Sequence, residues 1–186
     1  MKVKRFLVLA LVLIVALSSC MVFAADLKAI VEAEDFIKEE GGAATKTVGR
    51  VRAINGSILG WDNKGHAIEW EVDIPEDGSY KLVLRYCHNR KWNTLREIQI
   101  DGAVPVDAFK SVVFTSTGGW AKDSNDWINY TITDASGQPV MVTLTKGKHT
   151  VRMTNLGGDG DSNGSVNLDR FAFLSQEVDP EILSQK

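Results

Sequence analysis

The chain has little of what staples or catalyses. Two of its 186 residues are cysteines, Cys20 and Cys87. The first falls in a leader segment, so no intrachain disulfide can form behind it. An exported domain of this kind must be held by its core, or by its core together with a metal. The three histidines, His66, His88 and His149, stand in no metal-ligand or triad spacing. Cys87-His88 is not a catalytic dyad, since such partners are brought together by the fold rather than by adjacency; a partly buried thiol at a strand end is the plainer reading. Carboxylates are plentiful, but none is marked by its neighbours as an acid of raised pKa. No stretch repeats apolar residues three and four apart beyond a single turn near Phe36 to Glu40, which excludes a helical core.

The only long apolar run, Phe6 to Leu17, is too short to span a bilayer comfortably. It follows Lys2, Lys4 and Arg5 and precedes the small-residue site Val22-Phe23-Ala24, the layout of a secretory signal over residues 1–24. Leu17-Ser18-Ser19-Cys20 also resembles a bacterial lipobox, whose cysteine carries the lipid. The expected product is therefore a secreted, extracellular domain, or a lipoprotein anchored through Cys20. The leader holds three of the 21 basic residues and none of the 24 acidic ones. The chain behind the leader is thus more acidic than the whole at −3, a surface that does not seek nucleic acid or an anionic membrane.

What is present is period two. Ile68, Trp70, Val72 and Ile74 alternate with Glu69, Glu71 and Asp73; Pro75 to Gly78 supplies turn chemistry; Tyr80, Leu82, Leu84 and Tyr86 then resume the alternation. This predicts a hairpin of two half-buried strands. A second hairpin is predicted across Lys146-Gly147, from Val140–Thr145 to Lys148–Thr154. Further strands are expected at 29–36, 95–100, 111–115, 127–133 and 167–174. About nine short strands without crossover helices imply an all-β fold, a two-sheet antiparallel β-sandwich of the jelly-roll kind, over residues 25–175. Residues 176–186 read as a mobile tail.

Two constellations carry candidate chemistry. Glu32 and Glu34 share parity on the first strand, Asp169 lies on the last, and terminal strands of a sandwich often pair. Three hard oxygen ligands there suit Ca²⁺; a solvated strand face is the alternative. Trp61, Trp92 and Trp120 fall in predicted loops, where an indole offers a flat platform to the C–H face of a sugar. Each could instead fold back as a lid on the core. Trp70, in the inward parity, belongs to the core.

Four segments in order, VEAEDF, GWDNKGHAIEWEVDIPEDGSYKLVLRY, a Gly-Gly-Trp loop and SVNLDRFAFL, resemble the carbohydrate-binding modules of families 6 and 35 over residues 30–174. The resemblance implies a structural calcium on Glu32, Glu34 and Asp169, completed by backbone carbonyls near Arg50 to Asn55. It also implies that Trp120 stacks on a sugar while Asn167 hydrogen-bonds its hydroxyls, with Trp61 or Trp92 as a second wall. Asp159, Asp161 and Asn163, followed by Gly164, match the start of a calcium loop, but Arg170 stands where an EF-hand needs its bidentate Glu. A flexible polar loop is one reading of that stretch. A second calcium beside the sugar site, gripping a uronic acid, is the other. An acidic sugar would call on such a metal or on Arg50, Arg52, Arg90 and Lys91. The expected protein is a free-standing, monomeric, non-catalytic module for a plant or microbial polysaccharide. Its rivals are a jelly-roll lyase or hydrolase and a lipid-anchored adhesin or assembly subunit.

Overall fold

The alternating segments become strands, and in the computed structural model twelve form among the described residues, 28–160 and 163–186. The leader with Cys20, and Asp161 of the acidic loop, lie outside them. In chain order the strands are β1 (Lys28–Glu32), β2 (Lys38–Glu40), β3 (Thr45–Thr47), β4 (Ser57–Trp61), β5 (Ala67–Ile74), β6 (Gly78–Cys87), β7 (Thr94–Ile100), β8 (Val112–Phe114), β9 (Ile128–Thr131), β10 (Met141–Leu144), β11 (Gly147–Gly158) and β12 (Val166–Leu174). One sheet runs β10-β6-β12-β4-β3, with β1 added on β12 and β9 on β6; the other runs β2-β5-β11-β7-β8. The two antiparallel sheets enclose one main apolar core, so the predicted sandwich class holds. β1 pairs with β12 in the register Glu32 to Arg170, as expected of terminal strands.

Neither predicted hairpin forms. β5 pairs with β2 and β11, whereas β6 pairs with β10, β12 and β9 in the opposite sheet. The turn at Pro75 to Asp77 is an arch between sheets. β10 and β11 are joined by a second arch beside it, and the Lys146 amide donates to the Asp77 carboxylate at 2.6 Å. The physical reason is simple: alternation tells which face of a strand is buried, not whether the next strand lies beside it or across the core. Both apolar sets do point inward. Trp70 and Phe171, from opposite sheets, meet edge to face at 5.4 Å, and burying such a side chain contributes roughly 1.5–3 kcal/mol.

Two other expectations change. The chain leaves β1 after Glu32 into a 3-10 turn over Ala33–Asp35, because the Ala33 carbonyl bends inward to accept the Trp70 indole N–H at 2.9 Å. No helical turn forms over residues 36–40; Lys38–Glu40 are β2 instead. Residues 175–186 are not a free tail. Pro180–Ser184 make a 3-10 turn capped by Asp179, and Val178 and Leu183 pack on Val83, Ala172 and Leu174. That covers the outer face of β6 and β12, and β12 is buried at every position. Its unbroken apolar run Phe171–Leu174 is the sequence mark of a strand covered on both sides.

Candidate functional site

The loops that follow β6 and β8 meet beside Trp120. The strand β6 runs out at Cys87 and His88, both buried. The His88 Nδ1 accepts from the Arg90 amide at 3.1 Å, which leaves Nε2 to carry the proton it donates to the Phe114 carbonyl, also at 3.1 Å. Burial, with the Arg96 and Arg90 charges nearby, holds this imidazole below its ordinary pKa despite that bond. His88 is thus a neutral brace between loops. Its carbonyl accepts from the Thr117 amide, and its ring centroid lies 6.4 Å from that of Trp120.

Trp120 is half-buried, and its loop is pinned from several sides. Asn167 donates its amide to the Trp120 carbonyl at 3.0 Å. The next residue, Ala121, takes a left-handed φ of 50° so that its amide reaches Asp126 at 2.8 Å while its carbonyl accepts from Val51 at the same distance. Gly119 is required because a Cβ there would run into the Asp126 carboxylate. Asn167 is 3% exposed, so the geometry makes it first a support for Trp120. Its side chain also meets the Cys87 thiol, which burial pushes up to about 12; that thiol is inert.

The other tryptophans separate. Trp61 is fully buried, with its indole N–H donating to the His66 carbonyl at 3.0 Å and the Arg96 guanidinium 4.2 Å from its ring. It is core and presents no wall to a ligand, because β4 is a strand through its whole length rather than a loop. Trp92 is 43% exposed. Its ring rests on Gly160, where a Cβ would collide with the indole, and the Lys91 ammonium sits 4.8 Å from the ring centroid. Beside it, Asn93 donates to the Asp159 carboxylate at 2.9 Å and the Asp159 amide to the Asn93 carbonyl at 3.2 Å. Asp159 is therefore engaged in fixing the Trp92 loop, and the Asn163 carbonyl accepts from Asn155 at 2.8 Å.

The three carboxylates of the chain ends reach one loop but not one point. Ile54 donates its amide to Asp169 at 2.9 Å, Asn55 its side-chain amide to Glu32 at 2.9 Å, and Gly56 packs so closely on Glu34 that a Cβ would clash. Yet Arg170 grips Glu32 through both carboxylate oxygens, and Arg85 takes the other oxygen of Asp169 at 2.7 Å. Among the described residues no three His, Cys, Asp or Glu side chains stand ready to hold a metal. The 3-10 turn takes Glu34 out of the strand parity it was expected to share with Glu32, and Arg170 and Arg85 hold the flanking carboxylates. Glu34 alone keeps a buried oxygen, Oε2, without a hydrogen-bond partner. Burial and the Glu32 and Asp35 charges raise its pKa despite a backbone bond. Burial likewise lifts Asp169 to about 6, against the Ile54 amide and both arginines. An orphan carboxylate oxygen beside hard oxygen donors fits a hard divalent cation, provided Glu32 turns from Arg170.

Two residues below the rim, Arg96 and Asn155, are not among those expected from sequence. A signal for the first is there: Thr94, Arg96, Ile98 and Ile100 share the buried parity of β7, so a guanidinium stands where the pattern asks for an apolar side chain.

The sequence matches the family described as carbohydrate binding module (family 6) over residues 32–175. Exo-beta-D-glucosaminidase of Amycolatopsis orientalis is 25% identical over 143 residues, which are 76% of this chain but 12% of that enzyme. A family 35 carbohydrate binding module from Clostridium thermocellum superposes with a TM-score of 0.59 at 24% identity, over 78% of this chain and 96% of that one. A family 35 module in complex with a glucuronic acid containing disaccharide does so with a TM-score of 0.55 at 19% identity, over 77% and 91%. Both superpositions are likenesses of fold.

Proposed function

The chain belongs to the family 6 carbohydrate-binding modules, and from that premise we propose that it holds a glycan against the indole of Trp120. Modules of this family are non-catalytic, so the lyase and hydrolase alternatives fall away. The observation that carries the reading is a half-buried tryptophan whose loop is fixed from beneath by Asn167, Val51 and Asp126. A flat ring held in advance costs no ordering on binding, which is how a small contact becomes a useful affinity. Trp92 supplies the second wall, and Asn167 acts from beneath by holding the Trp120 loop.

The sugar class we propose is uronic-acid-containing polysaccharide. Arg50, Arg90 and Lys91 sit in or beside these loops, and a fold relative is complexed with a glucuronic acid containing disaccharide. The structural cation we propose is calcium, held by Glu32, Glu34 and Asp169 with a carbonyl of the 50–55 loop. Its charge would offset three carboxylates and join the first strand to the last. Export behind residues 1–24 fits a polysaccharide ligand, and an intact mass beginning at Ala25 or at lipidated Cys20 distinguishes the two routes.

Affinity electrophoresis through gels containing glucuronoxylan or polygalacturonate tests the site. The wild-type protein is expected to be retarded and Trp120→Ala to run free, a loss of about 2 kcal/mol or more, as for a central aromatic anchor. Equal retardation of the two would move the site elsewhere.

A further inference from the structure

Arg96 is fully buried and, among the described residues, has no carboxylate within ion-pair distance. Its Nη1 donates to the Leu95 carbonyl at 2.9 Å and to Asn155 Oδ1 at 3.0 Å; its Nη2 donates to the carbonyls of Trp61 at 3.1 Å and Gly164 at 2.8 Å. A guanidinium removed from water without an anion is among the costlier things a core can contain. Four hydrogen bonds and the Trp61 ring 4.2 Å away offset part of that cost. Such a residue still calls for a reason.

The partners supply one. Asn155 lies directly across from Arg96 in the β7–β11 register, also in the buried parity, just before a bulge. Asn155 Oδ1 accepts from the Gly157 amide at 2.7 Å, and its Nδ2 donates to the Asn163 carbonyl at 2.8 Å. Gly157 is the next-to-last residue of β11, just before the loop, and Asn163-Gly164 closes that loop. Gly164 is pressed so tightly on the Gly157 carbonyl that a Cβ would overlap it, at a left-handed φ of 53°. Arg96 and Asn155 together thus hold both ends of one loop and tie its closing end to β4. That loop carries Gly160, the floor under Trp92, and Asp159, the partner of Asn93.

We propose that Arg96 is a positioning residue for glycan binding: acting through Asn155, Gly157 and Gly164, it fixes the loop that sets the Trp92 wall. This rests on the reading that Trp92 and Trp120 border one binding surface. A bulge beside a site commonly re-aims a strand end in this way, and here a buried charge locks the result.

The test uses the full chain with Arg96→Met and Arg96→Lys, the second keeping the charge without the fork that reaches four acceptors. Hydrogen exchange should quicken at least tenfold at the amides of Gly157 and Gly164 in both variants, while those of β6 and β12 stay protected. Retardation by glucuronoxylan should weaken at least tenfold, and the melting temperature of Arg96→Met should fall by no more than about 4 °C, the shift of roughly 1 kcal/mol in a domain of this size. Unchanged exchange in the loop overturns the proposal, whatever binding does. If Trp120→Ala abolishes retardation and Arg96→Lys binds as the wild type does, the inference fails and the site stands. If neither substitution alters retardation, the site itself fails, and exchange alone decides whether Arg96 fixes the loop. Global unfolding of both variants, seen as lost protection in β6 and β12, would make Arg96 a folding residue and also overturn it.

Discussion

The three buried arginines among the described residues fall into two kinds. Arg85 and Arg170, at the seam where the chain ends meet, each face a carboxylate: Asp169, which is itself fully buried, and Glu32. Arg96, under the loop after β11, faces carbonyls and one amide. A matched pair is costly to break because the survivor is left buried and uncompensated. Replacing an unmatched cation leaves only neutral acceptors behind, each less costly to strand than a charge. The first region therefore holds the molecule together, and the second aims a loop.

Breaking the matched seam gives the largest expected effect. Asp169→Ala strands the Arg85 guanidinium, 4% exposed, and should cost about 3–5 kcal/mol in urea unfolding. The same loss is expected in excess EDTA if the arginine pairing is its cause; a loss that vanishes on chelation would assign it to the metal instead. Arg96→Met, by contrast, should leave the unfolding midpoint nearly where it is.

Chelation sharpens the seam from the other side. With calcium at 100-fold its dissociation constant, EDTA removes about 2.7 kcal/mol, read as a lower melting temperature. An unchanged melt would mean that Arg85 and Arg170 alone balance Glu32 and Asp169, leaving the orphan oxygen of Glu34 without the proposed partner.

The smallest effect is a control at the arches, far from either arginine set in kind. His149 Nδ1 and Asp101 lie 2.6 Å apart. Burial lowers the imidazole pKa, but the hydrogen bonds to Asp101 and the Thr145 carbonyl outweigh it and raise the net value above 6.5. Burial raises Asp101, yet the Thr150 amide and His149 bring it below 3.8. The His149 contribution is full below 6.5 and fades as pH climbs through its raised value; the Asp101 contribution is present above 3.8 and fades as pH drops through its lowered one. Their shared window lies between those two ordinary values. Asp101 is half exposed, so solvent screening keeps the pair below about 1 kcal/mol. In thermal melts between pH 5 and pH 8, His149→Gln should lose the fall in stability toward pH 8 that the wild type shows; identical slopes would remove the pair from the account.

Much of this architecture is legible in the sequence, and where it is not the causes are physical. Alternation locates β5, β6, β7, β11 and β12 and assigns their inner faces, because burial acts on side chains one strand at a time. It cannot tell an arch from a hairpin, since Ile74 and Gly78 carry the same signals whether the next strand turns beside or across. The docked segment at Leu183 is hidden because five residues of 3-10 turn have no period to read, although the apolar run of β12 announces a covered outer face. Trp120 and Trp92 fall in loops, as the sequence reading has them. Trp61 does not, since the strand around it alternates too weakly to be seen. Arg96 shows only as a charge in a buried parity, a signal that a search for apolar alternation passes over.

The account rests on one contact, a sugar ring on the indole of Trp120. Isothermal titration of aldouronic acid oligosaccharides from glucuronoxylan into wild type and Trp120→Ala tests it most directly. Saturable heat with the wild type and none with the variant is the predicted result; equal heats with both would contradict it.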